Sequence, residues 1–428
     1  MNWCKAVVLI AAVSLGGCGT VNWQTLAASG EIDAAHIDKT LGTLVANGSL
    51  IGVSALVFKD GKEAYFGAFG MADREAGRPM ARDTIVQIQS MTKPITGVAL
   101  MTLYEEGKFK LDDPVSKYVP ELANVKVYAG TDAAGAPILA APQRPMTIRD
   151  LTRHTSGLTG GDDSKIPAIA AAYEEADPMN LNNSLTEMAR RLGTVPLEYQ
   201  PGEHWLYSRA VDVQALLVER LSGEPYAQYL QEKVLTPLGM THTGYYVPQS
   251  ERSKLAAPYD WNPDGSFTRM PDGRAFDRNT KKWTLTPGGF GLTSTLDDYS
   301  RFARMLLNGG ELDGVRILRP ETVRMMSTSQ LDPAVTERSW LNTDKGEVGF
   351  GIDFAVRIEP PQKPGEKAGA VGEFFWDGLF NTLFWVDPKN KLAAVLFTQY
   401  FPFGKVPLHK DFRDAVYQSL DKDAMPPQ

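Results

Sequence analysis

Residues Thr84-Ile85-Val86-Gln87-Ile88-Gln89-Ser90-Met91-Thr92-Lys93-Pro94 decide how this chain is read. An apolar stretch runs into a serine, and a lysine follows three places later. The spacing predicts a helix over about Thr92 to Glu106, stopped by Gly107. Residues three apart share a helix face, one turn from each other. A serine at a helix N-terminus lies beside unpaired N–H groups that can stabilise a developing oxyanion. Withdrawal from water favours the neutral form of an amine, which can then take a hydroxyl proton. Pro94 falls in the first turn, where a missing N–H costs little. Taken alone, these residues more often mean a capping serine beside a surface lysine than a catalytic pair. A second Ser-x-x-Lys, Ser419-Leu420-Asp421-Lys422, lies in a polar C-terminal stretch and reads as a solvated coincidence.

Outward from that helix, Ile51 to Phe58 reads as a strand, Lys59-Asp60-Gly61-Lys62 as a hairpin turn and Glu63 to Phe69 as the return strand. Ile32 to Val45 has helical spacing. Val211 to Leu221 is an amphipathic helix with Gly223 past its end, Pro225 to Val234 opens another, and Asp297 to Leu307 a third, ended by Asn308-Gly309-Gly310. Strands return at Gly372 to Trp376, Asn381 to Val386 and Leu392 to Thr398, with a last helix from Lys410 to Leu420. Strands and helices at both ends around a helical middle predict an α/β (α+β) core made of residues 19–110 and 283–428, interrupted by a mainly helical unit, 111–282.

Composition narrows the function. The chain has 428 residues, with 44 Lys plus Arg against 51 Asp plus Glu, a net charge of −7. No long basic run is present, so nucleic-acid binding has little electrostatic support. Both cysteines, Cys4 and Cys18, precede Gly19, which excludes a cysteine nucleophile, a Cys-ligated zinc and a disulfide framework from the body. The five histidines (His36, His154, His204, His242, His409) show no metal-binding spacing, and no phosphate-binding glycine loop occurs, so no cofactor is expected. Lys5 precedes an apolar run of about ten residues, half the ~20 that a membrane span needs. It reads as a signal peptide over residues 1–18. Leu15-Gly16-Gly17-Cys18 resembles a bacterial lipoprotein cleavage box, which implies lipid on Cys18 and an exported chain held at a membrane; an ordinary secretory signal is the alternative.

Several segments share a further resemblance. Ser90-Met91-Thr92-Lys93-Pro94 is followed in order by Leu111-Asp112-Asp113-Pro114-Val115, Arg149 to Leu158 with its His154-Thr155-Ser156-Gly157-Leu158 core, Tyr207-Ser208-Arg209, Pro237-Leu238-Gly239-Met240, Gly289 to Thr295 and Trp376-Asp377-Gly378. Together they resemble the penicillin-recognising serine hydrolases, within them class C β-lactamases, and most of all family VIII carboxylesterases. The resemblance spans about residues 32 to 420. It implies a central antiparallel sheet flanked by helices with a large helical insertion.

By this resemblance Ser90 is the nucleophile, Lys93 takes or shares its proton, and Tyr207 is the second proton carrier. The oxyanion hole would be the backbone N–H groups of Ser90 and Leu379. Trp376, Asp377, Gly378 and Arg209 would meet the substrate. Two departures bear on its class. Arg209 stands where β-lactamases have an asparagine. Trp376-Asp377 stands where β-lactamases and D,D-peptidases place a cation facing the substrate carboxylate. A lost cation and an added anion disfavour such substrates, and a Trp wall suits an uncharged group. The expected reaction is hydrolysis of short-acyl esters, a small-molecule substrate with no cofactor; the alternatives are a β-lactamase or D-Ala-D-Ala carboxypeptidase, and a non-catalytic protein on the same fold. Trp376 also reads as a packed strand aromatic. Tyr400-Phe401-Pro402-Phe403 reads as a lid or as loop packing. Asp150, His154 and Ser156 lie too close in sequence to face one another as a triad.

Overall fold

The computed structural model describes residues 32–161, 164–336, 338, 345–420 and 422–426; Cys4, Cys18 and the predicted signal segment lie outside them. Eight strands form one antiparallel sheet: β1 (Gly52–Lys59), β2 (Lys62–Asp73), β3 (Arg78–Pro79), β4 (Val348–Phe350), β5 (Ala355–Arg357), β6 (Phe374–Asp377), β7 (Leu383–Asp387) and β8 (Leu392–Phe397). Their spatial order is β4-β5-β6-β7-β8-β1-β2-β3. The sheet closes where the two ends of the chain meet: Ser54 of β1 opposes Phe397 of β8, and Lys59 opposes Leu392. Asp60 and Gly61 make the β1–β2 turn with φ of 50° and 77°. Two positive φ values match the right-handed twist of the strands they join.

β1, β7 and β8 are apolar at nearly every position because both sheet faces are covered. Adjacent residues of β7 show the two layers. Phe384 meets Tyr299 (5.1 Å between rings) and Phe302 on one face. Trp385 meets Phe412 (5.4 Å) and Tyr417 on the other. The helix α1 (Ala34–Ala46) packs with the C-terminal helix α5 (Leu408–Tyr417) on the Trp385 side, and α4 (Leu296–Leu307) covers the Phe384 side.

Between the two sheet-forming parts, α2 (Thr92–Glu105) packs along α3 (Ala210–Ser222). Eleven of the fourteen residues of α2 are buried, so its apolar character on all sides has a cause. Two expectations change. Pro225 to Val234 is not one regular helix: Pro225 is extended (ψ 133°), Tyr226–Leu230 is helical, and Gln231–Leu235 widens into a π turn. Tyr400–Phe401 is a strand paired in parallel with Tyr259–Trp261, and Tyr400 is buried, so the aromatic cluster is packing that ties the last strand to mid-chain. No helix among the described residues is long and apolar enough to cross a membrane.

Candidate active site

Ser90 stands in a tight 3-10 turn, Gln89–Met91, that runs directly into α2. Its neighbour Gln89 has φ of 47°, a left-handed conformation that costs a non-glycine residue of order 1–3 kcal/mol. Side-chain amides hold it there. Gln89 Nε2 donates to Gln87 Oε1 (3.2 Å). The Gln87 N–H donates to Gln399 Oε1 (3.0 Å), and Gln399 Nε2 returns a bond to Gln87 O (3.0 Å). The serine turn is thus fastened to the chain leaving β8.

Lys93 is buried one turn on. Its Nζ donates to Ser90 Oγ (3.3 Å) and to Gly289 O (2.7 Å), and lies 4.5 Å from the centre of the Tyr207 ring. Tyr207 comes from the extended segment before α3, and its ring packs on His154 (5.0 Å), Trp205 and Trp376 (5.5 Å). Ser90, Lys93 and Tyr207 therefore converge from the start of α2 and the extended segment that precedes α3.

Two buried carboxyls that sequence reasoning passed over stand beside Lys93. Asp212 accepts the Gly289 N–H (2.8 Å), fixing the residue whose carbonyl holds Lys93. Burial raises Asp212 above its ordinary value, against Arg209 and Lys93. Asp353, with φ of 62°, accepts from Gln214 Nε2 (2.8 Å), and burial raises it well above the usual range. The available signal was an acid inside an apolar helix stretch, Val211-Asp212-Val213.

Gly378 begins the turn after β6. A Cβ there would lie 2.3 Å from Thr382 Oγ1 and 2.4 Å from Ile88 O, so only glycine lets this turn approach the serine turn. Leu379 follows, with 44% of its surface exposed. Trp376 is only 4% exposed and its ring packs against Tyr207 and Phe350 (5.4 Å). Asp377 requires a correction. It is buried and ion-paired with Lys345 Nζ (2.8 Å), which also lies 5.0 Å over the Trp376 ring. The acid thus adds no unbalanced charge, because a lysine remote in sequence was brought to it. Arg209 immediately precedes α3, with its guanidinium carbon 5.7 Å from the Tyr173 ring and 5.8 Å from the Phe290 ring.

His154 has no triad partner in Asp150. That carboxylate binds Arg144 (2.6 Å) and Arg153 (3.1 Å) and caps the helix Ile148–Thr152 through Thr147. His154 Nδ1 accepts the Ser208 N–H (3.2 Å), which leaves the proton on Nε2, and burial with nearby Lys93 holds the ring well below its ordinary value. The histidine supports the Tyr207 segment. Among the described residues no three metal-binding side chains converge.

The Beta-lactamase family model matches residues 37–418. An uncharacterized protein of Mycobacterium tuberculosis is 38% identical over 359 residues, 83% of this chain and 87% of the relative. Esterase EstB of Burkholderia gladioli is 31% identical over 405 residues, 90% of this chain and 95% of EstB. Among solved structures, EstCE1, described as a hydrolase with promiscuous acyltransferase activity, superposes with a TM-score of 0.74 at 27% identity, covering 90% of this chain and 98% of its own. Simvastatin synthase (LovD) from Aspergillus terreus shares the fold, with a TM-score of 0.77, 24% identity, and coverage of 91% and 98%. The protein belongs to the Beta-lactamase family, and is a serine hydrolase of the penicillin-recognising group with a class C β-lactamase-like fold, close to the family VIII esterases.

Proposed function

We propose that the chain hydrolyses short-acyl carboxylic esters through an acyl-Ser90 intermediate. The observation that carries this reading is the placement of Lys93 Nζ against Ser90 Oγ, Gly289 O and the Tyr207 ring. A serine hydroxyl is a weak nucleophile until a positioned base takes its proton. Ser90 passes its proton to Lys93 as Oγ bonds to the ester carbonyl carbon. The carbonyl oxygen becomes an oxyanion facing the Ser90 and Leu379 N–H groups, each donor worth about 10²–10³ in rate. The C–O bond to the alcohol then breaks, and the alcohol leaves with a proton relayed by Lys93 and Tyr207. Water repeats the sequence on the acyl carbon, releasing the acid and restoring Ser90.

The substrate class follows from the wall of the site. Trp376 stands where a carboxylate-binding cation would be needed for β-lactams or D-Ala-D-Ala peptides, and the nearby Lys345 is already paired with Asp377. The names of EstB and EstCE1 agree with an ester substrate. The test is hydrolysis of p-nitrophenyl acetate, butyrate and octanoate beside a chromogenic cephalosporin. The expected result is fastest turnover of the two short esters, little cephalosporin cleavage, and loss of at least about 10³ in kcat for Ser90→Ala with an unchanged melting temperature. Ester turnover surviving Ser90→Ala sinks the mechanism; rapid cephalosporin hydrolysis sinks the substrate class.

Export is the second part of the reading, with lipid on Cys18 as the tether. It rests on the Leu15-Gly16-Gly17-Cys18 box. The mass of the mature N-terminus, in the wild type and in Cys18→Ser, decides it: a diacylated Cys18 is expected, and an unmodified terminus beyond it overturns the anchor.

A further inference from the structure

Beside the serine centre a cleft is bordered by Tyr245, Arg278, Lys282, Trp283, Thr286 and Phe290. Phe290 joins it to the reacting groups. The preceding residue, Gly289, holds Lys93 through its carbonyl, and the Phe290 ring lies 4.7 Å from the guanidinium carbon of Arg278. The walls are fixed before anything binds. Trp283 Nε1 donates to Asp277 O (3.0 Å), and Tyr245 OH donates to Pro287 O (2.5 Å).

The charge in this cleft is one-sided. Lys281 is neutralised by Asp277 (2.5 Å). Arg278 and Lys282 instead lie over the rings of Phe290 and Tyr246, the latter at 5.3 Å, and among the described residues neither forms an ion pair with a carboxylate. Arg278 is half-buried, and Arg209 also lies near the Phe290 ring, at 5.8 Å. Burial, with Arg209 beside it, pushes Arg278 below its ordinary value, which is the electrostatic cost that an incoming anion relieves. A guanidinium offers a planar carboxylate two parallel N–H donors, and an aromatic floor leaves that fork free to do so.

We propose that this cleft binds a free carboxylate, so that the esters turned over at Ser90 include half-esters of short dicarboxylic acids, with Arg278 the specificity-determining residue and Lys282 a second cation at the mouth. The ester part rests on the function proposed above; the carboxylate site stands on Arg278 and Lys282 alone.

Two measurements separate these layers. The first is the KM of the mono-p-nitrophenyl esters of succinate, glutarate and adipate, divided by that of p-nitrophenyl butyrate. For at least one half-ester, Arg278→Gln is expected to raise this ratio about 10- to 100-fold, the size of a charge-assisted hydrogen bond. The exposed Lys282→Gln is expected to raise it severalfold, and Arg278→Lys to recover part of the loss. The second is calorimetric titration of monomethyl glutarate into Ser90→Ala protein, with and without Arg278→Gln. Binding that disappears with Arg278 supports the cleft even if no ester is turned over, a result that would sink only the esterase reading. Unchanged ratios for all three half-esters, or binding indifferent to Arg278→Gln, overturns the carboxylate site. Circular dichroism melts accompany each variant, and Lys282→Gln keeps the question decidable if Arg278→Gln fails to fold.

Discussion

Asp212 illustrates how much of this chemistry is arranged by single buried residues that act through their neighbours. Its carboxyl holds the Gly289 N–H, and the Gly289 carbonyl holds Lys93. Asp212→Ala is expected to leave a buried N–H unsatisfied, which costs about 1–3 kcal/mol. Gly289, whose carbonyl aims Lys93, then loosens, so kcat should fall about tenfold with little change in KM. Asp212→Asn keeps an acceptor and should lie near the wild type. A kcat-against-KM split with p-nitrophenyl acetate, alongside thermal melts, checks both; equal loss in Ala and Asn variants would mean that charge, not the hydrogen bond, matters. At this scale the sequence was legible for Ser90 and Lys93, whose spacing is local. It was not legible for Lys345, because nothing near Lys345 says which acid it will meet.

Among elements, the turn between β6 and β7 carries Gly378 and Leu379, and helix α5 holds it. His409, in the first turn of α5, donates Nε2–H to Asn381 O (2.9 Å). Asn381 in turn donates to Tyr400 O and accepts from the Gly404 N–H (both 2.8 Å). Burial, and after it Lys367, pushes His409 down to about 4 from an unfolded value of 6.5. The folded state therefore refuses a proton that the unfolded chain accepts. Its contribution is full above pH 6.5 and is lost as pH falls toward about 4, some 3 kcal/mol over that window at about 1.36 kcal/mol per unit. Urea unfolding at pH 7 and pH 4.5 should show a loss in the wild type that is smaller by about that amount in His409→Gln. Equal losses in both proteins would refute the assignment.

Across the whole molecule, a charge cluster locks strands to the last helix. Glu373 is 0% exposed and pairs with Arg357 Nε (2.9 Å) and with Arg413; the Tyr417 hydroxyl lies 2.8 Å from both Glu373 and Asp387. Burial works to raise Glu373, but Arg413 and Arg357 outweigh it and hold the carboxyl below its ordinary value. Removing that carboxyl's charge strands two buried guanidinium groups. Glu373→Gln is expected to cost about 3–5 kcal/mol of unfolding free energy, read as a lower urea midpoint, while kcat/KM of the folded fraction stays the same. A midpoint within experimental error of wild type would show that water reaches the pair.

Local pattern decided what depends on neighbours in sequence. Alternation, turn chemistry and helix spacing marked β1, α2, α3, the last strands and the start of β2 within a residue or two, because each element is defined by a period its own residues carry; β2 runs four residues past its expected end, to Asp73. The ordered segments from Ser90 to Gly378 also carried the family, and with it the antiparallel sheet. Tertiary structure alone decided what depends on convergence: the pairing of Lys345 with Asp377, the seat of Asp212 behind Gly289, and the meeting of Arg278 and Phe290 beside Lys93. These contacts join residues from a dozen to nearly two hundred positions apart. They form because burying the shared apolar faces of sheet and helices brings those positions together, and a buried charge must then find its partner wherever the chain has placed one.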